Sequence, residues 1–166
     1  IWLGYLNAKS EIIGPGDKEL ISIVDSLITV YPKDKDFKEI NKFIRIGKKN
    51  FLNGLTSADI AERHFKNEEF KEAIKNYLEA TEFDPYEFSY HENLALSFQK
   101  LGDTKNAYKY FDIVIDSLNP KTGKSEFYKA VNLIKDKEYD KGCNLLNKSF
   151  SYGFSGAKNI MDEYCN

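Results

Sequence analysis

The feature that most constrains this chain is an internal repeat with a period of 34 residues. Ala61, Phe70, Ala73, Tyr77 and Ala80 return one period later as Ala95, Thr104, Ala107, Phe111 and Val114, and Pro85 returns as Pro120, one residue late. A third copy continues from residue 123 through Ala130, Tyr139, Gly142, Leu146 and Ser149. A unit this short cannot bury its apolar face alone, so repeats of this kind stack on their neighbours. Within the copy KEAIKNYLEATEFDP, the residues Ile74, Tyr77, Leu78 and Thr81 recur at helical spacing. That helix must stop at Asp84-Pro85, because proline has no N–H to continue the ladder and crowds the preceding turn. With only four prolines and scattered glycines in 166 residues, the pattern predicts helices nearly throughout, an all-α fold.

A 34-residue unit of two helices, with small residues at columns 8, 20 and 27 and proline at column 32, resembles the tetratricopeptide repeat (TPR). The copy ENLALSFQKLGDTKNAYKYF places Leu94, Ala95, Phe98, Gly102 and Ala107 on the strongest columns of that family. The resemblance implies a helical-hairpin solenoid with three repeats, 54–87, 88–122 and 123–156. It also explains why alanines occupy core-facing positions. Ala73, Ala80, Ala95, Ala107, Ala130 and Gly142 fall where paired helices approach closely, while Tyr77, Phe83, Phe98, Phe111 and Leu146 fill the space around them.

The N-terminal third is less regular. Setting Pro32 on column 32 puts Ala8 on column 8 and Gly14-Pro15-Gly16 at a turn, so residues 1–53 are expected to hold a degenerate TPR-like hairpin plus an extra helix. LISIVDSLITVYP is its second helix, with Leu20, Val24 and Leu27 on the packing columns. The spacing of Phe37, Ile40, Ile44, Phe51 and Leu55 predicts one amphipathic helix over 35–53. After Gly153, Ser155 is expected to cap a terminal helix, 157–166, that covers the last repeat. The ending KGCNLLNKSFSYGFSGAKNIMDEYC is similar to those of bacterial envelope-associated TPR proteins.

Composition excludes several classes of function. The net charge is −2, with 24 basic residues interspersed among 26 acidic ones, so no electrostatic case for nucleic acid arises. No run approaches the eighteen apolar residues of a membrane span. IIGPGDKE lacks the lysine and serine or threonine of a phosphate loop, and DKDFKE lacks the glycine and closing glutamate of a calcium loop; both read as turns or helix starts. His64 and His91 fall on different columns of consecutive repeats, too far apart for a shared metal, and read as replacements for aromatic packing residues. No nucleophile–base or carboxylate-dyad context is present, so the reading is no enzyme, no metal and no cofactor.

What remains is surface. In TPR proteins the first helix of each repeat lines a concave groove. Carried over residue by residue, that face comprises Asp59, Glu62, Phe65 and Lys66, then Glu92, Asn93, Leu96, Gln99 and Lys100, then Lys124, Phe127, Tyr128, Val131 and Lys135. Amides, charges and aromatics together suit an extended peptide, whose backbone needs hydrogen-bond partners and whose side chains need apolar slots. The family's clamp for a C-terminal carboxylate is matched by Asn93 and Lys124 but departed from at Ala58, Glu62 and Tyr128, which argues against a receptor for chaperone tails.

The expected function is therefore a protein-interaction scaffold that binds a peptide or partner protein in the groove. The competing expectation is a docking or regulatory domain of a larger membrane or envelope enzyme, in surface-polysaccharide assembly or secretion. The chain begins IWLGYL without an initiator methionine, which fits processing or excision from something longer. Cys143 and Cys165 are placed at similar heights on antiparallel helices joined near Gly153. They are candidates for a disulfide in the periplasm or cell envelope and for free thiols in a reducing cytoplasm.

Overall fold

The computed structural model describes residues 1–165, and among these every regular element is helical. Asn166, the end of the expected terminal helix, lies outside the described residues. The chain begins with α1 (Trp2–Ile13), α2 (Lys18–Val30) and α3 (Lys35–Ile46). Asp17 caps α2 by accepting from the Leu20 amide at 2.9 Å, and Asp34 caps α3 by accepting from the amides of Asp36 and Phe37. The two acidic stretches are thus helix starts. Leu6, Leu20, Val24, Phe37, Ile40 and Ile44 form a small core shared by all three helices. Ala8 is exposed and Leu6 is the buried residue of α1, so the column-8 expectation fails there.

The single helix expected over 35–53 is two. Gly47 adopts φ 82° and serves both as the end of α3 and as the start of α4 (Lys48–Lys66). A side chain is strained in that left-handed region, which is why glycine stands at the break. The first helix of the first repeat consequently begins at Lys48, and Leu55, read as part of an apolar stripe, is exposed.

Three hairpins follow: α4 with α5 (Phe70–Phe83), α6 (Phe88–Lys100) with α7 (Thr104–Asp112), and α8 (Lys124–Lys135) with α9 (Tyr139–Ser151). Their turns share one backbone chemistry. Glu68, Gly102 and Lys137 each sit at positive φ, between 63° and 79°. The following residue donates back to the preceding helix in each: Glu69 to His64 O, Asp103 to Phe98 O, Glu138 to Leu133 O. The small residues expected at close crossings, Ala73, Ala80, Ala95, Ala107 and Ala130, are fully buried. Tyr77, Phe111 and Leu146 fill the space beside them, and Phe83 and Phe98 are half-buried. At Gly142 an added Cβ would stand 2.7 Å from Ile134 Cδ1, which explains the smallest residue of the column.

The late return of proline has a structural cause. After α7 the helix continues as a π-helical turn, Ile113–Leu118, in which the Asn119 amide donates to Val114 O, five residues back. One residue more than the α-helical count is accommodated there. Asn119 then leaves the helix at φ 43° in the left-handed region. The terminal helix α10 (Gly156–Tyr164) lays Ala157, Ile160 and Met161 against Ala130 and Leu146 of the last hairpin. Ser155 does not cap it with its side chain, because its own backbone is already helical, φ −61° and ψ −29°, and a cap requires extended geometry.

Candidate functional site

The first helices α4, α6 and α8 lie side by side and line a groove of about 920 Å³. Eight of the ten charged, amide and tyrosine side chains expected there do line it: Glu62, Lys66, Asn93, Gln99, Lys100, Lys124, Tyr128 and Lys135. Phe65 and Leu96 join them and supply apolar surface. Asp59 does not line the groove; it is exposed and pairs with Arg63, one turn along α4, at 2.9 Å. Nor does Glu92, which is buried behind the groove wall, only 4% exposed. Phe127 turns away to pack on Phe154, ring centroids 4.9 Å apart, and Val131 also lies outside the lining.

Glu92 nevertheless shapes the site. Its Oε2 lies 2.8 Å from Lys124 Nζ, and its Oε1 accepts from Ser125 Oγ at 2.8 Å. Lys66 is similarly engaged, 2.7 Å from Glu62 one turn back. Lys100 and Lys135 have no ion-pair partner among the described residues. The groove's charges without an ion pair therefore sit at the ends of α6 and α8, Lys100 on one side and Lys135 next to Asp136 on the other.

Sequence reasoning missed Tyr77, Thr104, Asn132 and Asp136 in the lining. Tyr77 belongs to a second helix and reads as core, yet its phenol reaches the groove floor. Burial, reinforced by the Glu62 charge, pushes its hydroxyl up to about 12, with Asn93 beside it offsetting part of the shift. Asn132 stands one turn beyond Tyr128 on the same face of α8, a spacing that could have found it. Gln99 Nε2 donates to Asn132 Oδ1 at 2.9 Å and bridges α6 to α8. Asp136 accepts from the Tyr108 hydroxyl at 3.3 Å; burial first, and then the Asp136 charge, raise that phenol above its ordinary value.

The histidines lie apart. His64 Nδ1 is 2.6 Å from Glu69 Oε2 at the first hairpin turn, an ion-pair or hydrogen-bond position in place of the expected aromatic packing. His91 is buried, stacks on Tyr110 and donates from Nε2 to Pro85 O at 2.9 Å. Among the described residues no cluster of His, Cys, Asp and Glu is arranged to hold a metal, and no helix is long and apolar enough to cross a membrane. Cys143 on α9 and Cys165 at the end of α10 are joined as a disulfide, with Cα atoms 5.6 Å apart.

Residues 61–102 match the family model described as TPR repeat. No curated protein matches the chain. Among solved structures, the first TPR of Spaghetti (RPAP3) bound to the HSP90 peptide SRMEEVD is similar, with a TM-score of 0.65 at 16% identity, over 69% of this chain and 92% of that one. The chain thus folds as a tetratricopeptide-repeat solenoid and carries the sequence of the repeat itself over residues 61–102.

Proposed function

We propose that this protein is an interaction scaffold that binds an extended peptide segment of a partner in the groove between α4, α6 and α8. The observation that carries the reading is the lining itself. Phe65, Leu96 and Tyr128 supply apolar contact, and Asn93, Gln99 and Asn132 supply donors and acceptors for an extended backbone that has no internal partners. The similar solenoid of Spaghetti binds a peptide, which supports the same use of the fold here. The reading is tested by capture of a binding peptide or partner with the variants Asn93→Ala, Lys100→Ala and Tyr128→Ala. Weakened capture at unchanged melting temperature is expected. Affinity untouched by all three together places the site elsewhere.

The proposed setting is the periplasm or bacterial envelope. Pairing of Cys143 with Cys165 supports an oxidising compartment. It ties α10 over the last hairpin, where a solenoid frays first. A thiol count on unfolded, unreduced protein from its native source is expected to find no free thiol. Two free thiols would remove the ground for this location.

A further inference from the structure

The groove face of α4 continues past Glu62 toward the start of the helix. α4 (Lys48–Lys66) is longer than α6 (Phe88–Lys100) and α8 (Lys124–Lys135). Each of these helices closes on a lysine, Lys66, Lys100 or Lys135, just before the positive-φ residue of its hairpin turn, which fixes their mutual register. In that register Leu55 of α4 stands where Lys124 stands in α8, and Lys124 lines the groove. Helical rotation of about 100° per residue agrees: Leu55 points within about 20° of both Glu62 and Lys66, which also line the groove. Leu52 lies one turn earlier, and the two leucines are 49% and 45% exposed.

Further along this stripe the side chains are charged and already engaged, Asp59 with Arg63 and Glu62 with Lys66. Its exposed apolar surface is confined to Leu52 and Leu55. Both are open to solvent, so no contact within the protein has to break for a ligand to reach them. They are too small a surface for a second copy of the chain, since a stable interface takes about 800 Å² from each partner. They match one large side chain. Leu55 lies about 10 Å along the helix from Glu62. An extended peptide advances about 3.3 Å per residue, so one lying over Glu62 reaches Leu55 in about three residues.

We propose that Leu52 and Leu55 form an apolar subsite at the end of the groove, which takes a large aliphatic or aromatic side chain of the bound peptide. That side chain stands about three residues from the part of the peptide lying over Glu62. Its removal from water against the two leucines drives the contact. The proposal rests on the groove being the peptide site, and its test separates the two.

A random dodecapeptide display library is panned against the full chain, and enriched sequences are synthesised with blocked termini. The enriched peptides are expected to share a leucine, isoleucine, phenylalanine or tryptophan at one position. Replacing it by alanine weakens binding about tenfold, the loss expected for a large side chain in a partly open site. The double variant Leu52→Gln, Leu55→Gln weakens the parent peptide comparably and leaves the alanine-substituted peptide unaffected. Glutamine is a good helix former and both positions are exposed, so the melting temperature is expected to stay unchanged. The peptide-side change leaves the protein untouched, so the result does not depend on how that variant folds. Peptides that need Asn93 and Tyr128 but bind wild type and double variant equally overturn the subsite and leave the groove reading standing. Self-association of the wild type that is lost in the double variant assigns the leucines to an interface between copies and likewise overturns it. Binding indifferent to Asn93→Ala and Tyr128→Ala, or a library from which nothing is enriched, overturns both.

Discussion

Lys124 Nζ is held 2.8 Å from the buried Oε2 of Glu92, so the lysine best placed to grip a carboxylate in the groove is already neutralised from behind. Ser125 Oγ donates to the other carboxylate oxygen, which fixes the pair. Glu92→Gln keeps an acceptor for Ser125 but releases Lys124. It is expected to destabilise by about 1–3 kcal/mol, since a buried polar contact is weakened. It should also raise affinity for peptides with a free C-terminal carboxylate relative to the same peptides amidated. Equal affinity for the two forms in wild type and variant alike would show that Glu92 does not set this preference.

The three hairpin turns place Glu68, Gly102 and Lys137 at equivalent positive-φ positions, but only the middle one is glycine. A residue with a Cβ is strained there, by about 1–2 kcal/mol. Lys137→Gly and Glu68→Gly are therefore each expected to stabilise by about 0.5–1 kcal/mol, after the entropy that glycine adds to the unfolded chain. Urea melts of the two variants check this, and a loss of stability in both would contradict the turn geometry.

Close packing of the small-residue column is open to the opposite test. Ala107 is fully buried beside Phe111, and Ala107→Leu is expected to cost about 1–3 kcal/mol because the crossing cannot absorb the added volume. Gly123 is tighter still. It sits at φ 75°, and an added Cβ would stand 2.6 Å from the Ser149 carbonyl oxygen, backbone that cannot swing aside. Gly123→Ala should cost about 2–4 kcal/mol, from left-handed strain together with overpacking. Denaturant midpoints that do not move for either variant would refute the packing described.

His91 confers a pH dependence. Its burial, partly offset by the Pro85 carbonyl and the charges of Asp84 and Glu87, lowers its pKa below the ordinary 6.5. A depressed pKa means that the unfolded chain takes up the proton first. The stabilisation is thus fully present above about pH 6.5 and is lost as the pH falls toward the folded value. Burial raises the Asp84 carboxyl, which favours the fold toward low pH and opposes the His91 trend, whereas Glu87, held low because the Lys42 ion pair and hydrogen bond outweigh its burial, loses its contribution as the pH falls through the carboxylate range. The melting temperature is expected to fall between about pH 7.5 and pH 5.5, with a flatter slope in His91→Phe, which keeps the stacking on Tyr110. Identical slopes in the two proteins would assign the dependence to other groups.

Much of the solenoid was legible because its signal is local and repeated. Alanine columns, helix spacing and the Asp84-Pro85 stop each recur, and a recurrence is hard to mimic by chance. The failures came where a single residue changed the outcome. Gly47 splits a stretch whose apolar spacing reads straight through it, and Ala8 matches a column by arithmetic while Leu6 does the packing. The one-residue delay before Pro120 was visible, but its form, a π-helical turn at Ile113–Leu118, depends on which carbonyl each amide finds. In the groove, column counting found the helix faces and missed partnerships between helices. Glu92 looks like a groove residue until Lys124 and Ser125 of the next repeat are placed against it. Tyr77 is core, as its spacing says, but that spacing does not show that its phenol also borders the groove floor.

The central claim, that a peptide lies in the groove between α4, α6 and α8, is met most directly by backbone and side-chain amide NMR shifts during titration with a library-selected peptide. The largest shifts are expected at Asn93, Leu96, Gln99, Tyr128 and Asn132, which line the groove, with Asn76 and Glu79 on the outer face of α5 unmoved. Shifts concentrated on α5 or on the α1–α3 core, with those five residues unchanged, would contradict it.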